Sequence, residues 1–214
     1  VPYSVLLFEQ NPETPSLTSV LNGDNFRVVR VFSAAEAEMW LAANVPHAVV
    51  VNLLKEGTFP ENVRQLPTAT RFNVPWVVVS DQKQKIEDCI FCTADDLFPT
   101  MMQAIQNSTV LHSGPFALDT QTQSLWAQGE AYHLTPKLTL LMALLLENSG
   151  QIVYRKTIMQ HVWKTDYMGD TRTLDVHIRW LREIIEVNPS RPKFLLTVRG
   201  AGYRLVGSST PSLF

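Results

Sequence analysis

The sequence predicts an α/β, doubly wound, five-stranded parallel domain followed by a smaller α+β domain. Three observations carry that prediction. Five short apolar runs alternate with helical stretches up to Asn107, the pattern of a parallel sheet covered by helices. Beyond residue 115, polar–apolar alternation gives way to three helical stretches and a hairpin pattern. The charge also divides: residues 1–107 carry 7 Lys+Arg against 12 Asp+Glu (net -5), and residues 108–214 carry 11 against 8 (net +3). With 214 residues and 45% hydrophobic content, the chain can bury two cores. The expected division is residues 1–107, a Ser/Thr/Gly/Pro-rich linker at 108–115, and residues 116–214.

The first strand is SVLLF (Ser4 to Phe8), ended by EQNPETPS, and the second is FRVVRVF from Phe26. Ser33 is an N-cap candidate for the helical AAEAEMWLAAN. HAVVVN, reaching Asn52, and PWVVVS, reaching Ser80, are continuous apolar runs, as expected of strands buried on both faces. A weaker helical stretch spans Asn62 to Phe72; CIFCT and DDLFPTMMQAIQN complete the series. Ligand chemistry in such sheets sits outside the carboxyl ends of the strands, which makes Glu9, Gln10, Asn52, Ser80 and Thr93 the candidate residues.

In the second half, FALDTQTQSLWAQGEAYHLT reads as a small antiparallel sheet. The first helix has Thr135 as N-cap, Pro136 at its first position and Gly150 beyond its end. YRKTIMQHVW forms the second helix, and the loop Lys164, Thr165, Asp166, Tyr167, Met168, Gly169, Asp170 leads to the third, TRTLDVHIRWLREIIEV. In that third helix Leu174, Ile178, Leu181 and Ile185 form a core stripe. The opposite face then presents Arg172, Val176, Arg179 and Glu183 near its middle, flanked by Asp175, Trp180 and Arg182, and Thr173 is a further candidate on the same helix. Arginines beside an outward Val and Trp suit a surface meeting phosphates, base edges or thymine methyl groups. Asp175 is expected to pair with Arg179 at i+4 rather than to touch a base, and His177 is open between packing and a phosphate contact. KFLLTVRGAGYRLV is a hairpin pattern with Arg199 near its tip and Tyr203 on its stem. A basic helix followed by a basic hairpin matches a winged helix-turn-helix.

LTPKLTLL, GQIVYRKTIMQHVW, RTLDVHIRWLR and TVRGAGYRL, in that order, resemble the effector domain of OmpR/PhoB winged-helix response regulators. The first half resembles the flavodoxin-like receiver domain of the same regulators. The resemblance implies double-stranded DNA as partner, with Arg172, Arg179, Arg182, His177, Arg199 and Tyr203 at the interface, and RNA polymerase against residues 164–170. It also makes the strand ends a degenerate phosphorylation pocket. Glu9 and Gln10 stand where an acid pair holds Mg²⁺, Asn52 at the phospho-accepting Asp, Ser80 at the hydroxyl and Thr93 at the Lys. Phosphoryl transfer needs an anionic nucleophile, a metal held by carboxylates and a cation, and Asn52, Gln10 and Thr93 supply none of these. The segment between Ser80 and Cys89 is too short for the usual fourth helix, which alters the dimer face of these regulators.

The expected function is therefore a cytoplasmic, sequence-specific DNA-binding transcription regulator, acting as a homodimer without aspartyl phosphorylation and without a cofactor or metal. Alternatives are control by a small-molecule or protein effector at the emptied pocket, and a protein-interaction adaptor docking through Trp180 and Val176. An enzyme is not expected, since no strand end carries a nucleophile with a paired base. Leu138 to Leu146, the most apolar stretch, is too short to span a bilayer, and Glu9 and Asn11 interrupt any secretory signal. Cys89 and Cys92 lie three apart on a strand, hence on opposite faces, and read as buried small hydrophobes.

Overall fold

A computed structural model describes residues 2–9, 16–21, 25–54, 72–81, 86–166 and 172–207. It forms two compact units, divided between Thr109 and Val110.

In the first unit, β1 (Tyr3–Glu9), β2 (Phe26–Val31), β3 (Ala48–Asn52), β4 (Trp76–Val79) and β5 (Cys89–Cys92) form one sheet in the order β2-β1-β3-β4-β5, and every pairing is parallel. β3 is buried along its whole length because β1 and β4 flank it and helices close its faces, so its β-branched run needs no polar alternation. Sheet order reverses between β1 and β3, and that reversal opens the crevice at their carboxyl ends. The edge strand β5 is only half-buried, so Cys89 and Cys92, expected as buried small hydrophobes, are partly exposed on it and form no disulfide.

The helices follow local rules. Ser33 caps α2 (Ala34–Leu41) by accepting from the Glu36 N–H at 3.2 Å, while Glu36 accepts from the Phe32 N–H at 2.9 Å. α1 (Thr18–Leu21) is one turn. In α3 (Leu97–Gln106), Leu97, Met101 and Ala104 recur at i, i+4 and i+7 and are buried; Pro99 falls in the first turn, where its missing N–H costs nothing. The helix expected around Asn62 to Phe72 lies outside the described residues, except for buried Phe72. Between β4 and β5 no described residue is helical.

At the amino end of the sheet the Ser4 N–H donates to His47 Nδ1 at 3.1 Å, which keeps that nitrogen an acceptor and the ring neutral. Burial lowers the His47 pKa from 6.5 to about 4. Between those values the unfolded chain binds the extra proton, so the stability His47 contributes is complete above pH 6.5 and disappears as pH falls through 4. Denaturant titration of this unit at about pH 7 and about pH 5 is expected to show a loss of at most about 2 kcal/mol on acidification. A His47→Gln variant should lose less than the native chain over the same interval.

In the second unit, β6 (Val110–Ser113), β7 (Phe116–Asp119), β8 (Ser124–Ala127) and β9 (Glu130–His133) form an antiparallel meander. Residues 110–113, expected within a linker, are a strand because β7 offers them a full ladder of partners. The β8–β9 turn puts Gln128 (φ 54) and Gly129 (φ 82) in the left-handed region, as a tight hairpin turn requires. Gln128 is held there by donating its side-chain amide to Ile184 O at 2.7 Å.

Three helical segments follow: α4 (Pro136–Glu147), α5 (Arg155–Ile158), which widens into a π-helical turn over Met159–Trp163, and α6 (Arg172–Ile185). Lys164 ends the π turn in the left-handed conformation, and Lys137 Nζ donates to Val162 O at 2.6 Å, satisfying an end carbonyl. Leu141, Leu145, Ile158, Leu174, Ile178 and Leu181 meet in one core. The last sheet has the order β10-β12-β11, from β10 (Val153–Tyr154), β11 (Leu195–Val198) and β12 (Gly202–Leu205). Gly202 is required there, because a Cβ would stand 2.0 Å from Val153 O, the backbone against which β12 pairs.

Candidate nucleic-acid interface and strand-end pocket

The core stripe of α6 is as expected: Leu174, Leu181 and Ile185 are 0% exposed and Ile178 is 2% exposed. Its geometry puts Arg172, Val176, Arg179 and Glu183 on one outward line at i, i+4, i+7 and i+11, with Thr173 and Trp180 beside Val176 on one flank. Val176 and Trp180 are 43% and 45% exposed, unusual for large apolar side chains. Trp180 is braced: its ring lies 5.0 Å from His177, which stands edge-on to Trp163 at 5.0 Å, and Trp163 packs on the core. His177 Nδ1 is 2.7 Å from Thr173 O, to which it donates.

Asp175 does not pair with Arg179. Its carboxylate takes Arg155 at 2.9 Å and the Tyr203 hydroxyl at 2.7 Å, while Arg179 pairs with Glu183 at 2.9 Å. Two donors from other elements outcompete one solvated i+4 arginine. Tyr203, expected at the interface, is 3% exposed; its hydroxyl donates to Asp175 and accepts from Arg155 at 2.8 Å. Burial first, then the bond to Asp175, raises its pKa. Arg182 is likewise turned away from the outward face, donating twice to Leu195 O (3.0 and 2.7 Å) and once to Thr197 Oγ1 (2.8 Å). Arg182, Asp175 and Tyr203 thus join α6 to the hairpin and to the start of α5. Arg199 is exposed in the turn beside Gly200, whose φ is 73°.

Sequence reading missed Glu186, which is 4% exposed and accepts from the N–H groups of Lys193, Phe194 and Leu195, each at 2.8 Å. Its only signal was a carboxylate just past the end of an amphipathic helix. Ahead of α6, Gln160 of the π turn donates to Asp166 of the loop; Lys164 and Thr165 are described, whereas Tyr167, Met168, Gly169 and Asp170 lie outside the described residues.

In the first unit, register brings Glu9 opposite Asn52 and places Arg30 opposite Leu7, two residues from Glu9 on the same face. Glu9 is 1% exposed. Its Oε1 accepts from the Leu17 N–H and from Asn52 Nδ2, both at 3.1 Å, and its Oε2 takes two guanidinium nitrogens of Arg30 at 2.7 Å. Asn52 Oδ1 accepts from the Leu54 N–H at 3.1 Å. The amide is therefore a two-sided connector: it donates to the acid and accepts from the turn. Thr93 donates to Asp96 at 2.9 Å just before α3 and is exposed, and Ser80 is half-buried at the end of β4. Gln10 lies outside the described residues. Among the described residues no group of three or more His, Cys, Asp or Glu side chains could hold a metal, and no helix is long and apolar enough to cross a membrane.

A five-stranded parallel unit is thus followed by a winged-helix unit whose third helix buries one stripe and exposes the opposite face. Residues 129–205, all within the second unit, match the family described as transcriptional regulatory protein, C terminal. Sensory transduction protein RegX3 of Mycobacterium bovis is 43% identical over 98 residues, which are 46% of this chain and 43% of that protein. Alkaline phosphatase synthesis transcriptional regulatory protein SphR of Synechococcus elongatus is 51% identical over 72 residues, 34% of this chain and 28% of that protein. The matches thus span less than half the length of these relatives. The response regulator DrrB, an OmpR/PhoB homolog of Thermotoga maritima, aligns with 97% of this chain and 100% of its own at 16% identity and a TM-score of 0.45.

Proposed function

We propose that the chain is a sequence-specific DNA-binding transcription regulator whose output does not depend on aspartyl phosphorylation. The observation that carries the DNA role is the outward face of α6, with Arg172 and Arg179 beside Val176 and Trp180, together with Arg199 at the hairpin turn. From Arg172 to Arg204 there are 7 Lys+Arg against 3 Asp+Glu, a local excess of cation suited to the phosphate backbone. In this reading α6 enters the major groove and Arg199 meets phosphates or the adjacent minor groove. The relative SphR is named a transcriptional regulatory protein, which accords with that role.

Phosphate independence is supported by the chemistry of the strand ends. An amide is not a nucleophile for phosphoryl transfer, and Glu9 already spends its carboxylate on Arg30, Asn52 and Leu17. A divalent cation there would have to displace an internal guanidinium. The first unit then serves dimerisation or responds to a protein or small-molecule effector, and the loop ahead of α6 is the surface for RNA polymerase.

The test is DNA binding by the full chain and its Arg179→Ala and Arg199→Ala variants across a salt series. Each variant is expected to bind about 5- to 100-fold more weakly, with the dependence on log salt shallower by about one unit. Unchanged affinity in both would remove the groove-and-wing assignment. In a parallel arm, tighter DNA binding after acetyl phosphate or beryllofluoride with Mg²⁺ would remove phosphate independence while leaving the DNA role standing.

A further inference from the structure

We infer that α6 reads thymine C5-methyl groups through the stripe Thr173, Val176 and Trp180, rather than guanines through a bidentate arginine. This inference rests on the DNA-binding reading above and specifies the class of sequence it selects: sites whose central readout positions are thymines.

The stripe comes from helix geometry. Residues at i, i+3 and i+7 fall on one line, and on α6 these are Thr173, Val176 and Trp180, all exposed. A threonine methyl, a valine and an indole in sequence make a ridge with no charge and little hydrogen-bonding capacity. In the major groove such a ridge has one apolar feature to meet, the C5-methyl of thymine.

The ridge is also pre-set. His177 fills the space between Trp163 and Trp180, ring centroids 5.0 Å away on each side, and is fixed by its bond to Thr173 O. Holding Trp180 in this way lowers the ordering cost of placing an indole against a base step.

Two of the arginines near the ridge are committed elsewhere. Arg182 is spent on Leu195 O and Thr197, and Arg155 on Asp175 and Tyr203. Arg179 follows Val176 by three residues and is paired with Glu183 at 2.9 Å, so a bidentate base contact by it has to give up that pair. The cationic surroundings select duplex DNA as the occupant over an apolar protein surface.

The experiment uses the full chain and the tightest duplexes selected from a randomised DNA pool. Each thymine of those duplexes is replaced singly by deoxyuridine, which removes only the methyl group, and each guanine by 7-deazaguanine, which removes the N7 acceptor. The expected result is that deoxyuridine at one to three positions weakens binding about three- to tenfold. Val176→Ala or Trp180→Ala should abolish that penalty while still binding DNA. Indifference to deoxyuridine at every position, or a penalty unchanged in both variants, would overturn the inference. Dominant losses at 7-deazaguanine would overturn it in favour of arginine readout. If no duplex is enriched even at low salt, the DNA-binding reading itself fails, and the inference with it.

Discussion

Replacing Arg30 with alanine is expected to cost the first unit about 3 kcal/mol of stability, because it leaves a carboxylate buried without its cation. Glu9 is 1% exposed, and the Arg30 side chain, 34% exposed, is the only cation bonded to it among the described contacts. Asn52 and the Leu17 N–H would still donate to Oε1, so the loss should fall at the lower end of what a broken buried pair costs. Denaturant titration of the unit measures it. A Glu9→Gln substitution on the Arg30→Ala background should recover a good part of the loss, since the uncompensated charge is then gone. A loss under about 1 kcal/mol, the size of an exposed ion pair, would show that the amide and the backbone satisfy Glu9 without Arg30.

Glu186→Ala is expected to destabilise the second unit by about 3 kcal/mol or more. Three backbone N–H groups lose a charged acceptor together, and one of them, on Leu195, is the first residue of β11, the strand on which the hairpin is built. At about 4–8 °C per kcal/mol for a domain of this size, the midpoint of thermal unfolding should fall by about 12–24 °C. Glu186→Gln keeps one acceptor oxygen without the charge and should fall between the two. Amide exchange at Leu195 and at Leu141 separates the outcomes. Global destabilisation exposes both, whereas local fraying confined to Leu195 would contradict the size claimed.

Much of the architecture was legible because its causes are local. β1 and β3 are apolar runs whose burial on both faces removes any need for polar alternation, and the stripe Leu174, Ile178, Leu181, Ile185 specifies one face of one helix. Asn52 could be placed at a strand end from the same pattern. Partners distant in sequence could not be read in this way. Arg30 meets Glu9 because β2 and β1 pair in a particular register, and no spacing rule links residues 21 apart on neighbouring strands. Asp175 had one visible partner at helical spacing, yet Arg155 and Tyr203 reach it from α5 and β12. Arg182 looked like a groove arginine until the carbonyl of Leu195 came within reach. Residues 110–113 have linker composition, and only the facing strand makes them β structure.

The clasp between α6 and the hairpin also bears on how a duplex would be met. Arg182 grips Leu195 O, and Asp175 grips Tyr203, so helix and hairpin are fixed to each other at two points before any encounter. Two reading elements joined in this way move as one body. The distance between a groove contact and a wing contact is then a property of the free protein, and little backbone freedom remains to be given up when a site is found. Collision and charge steering would govern how fast such a body lands, and a site with the wrong helical phasing would be rejected by geometry rather than by slow rearrangement.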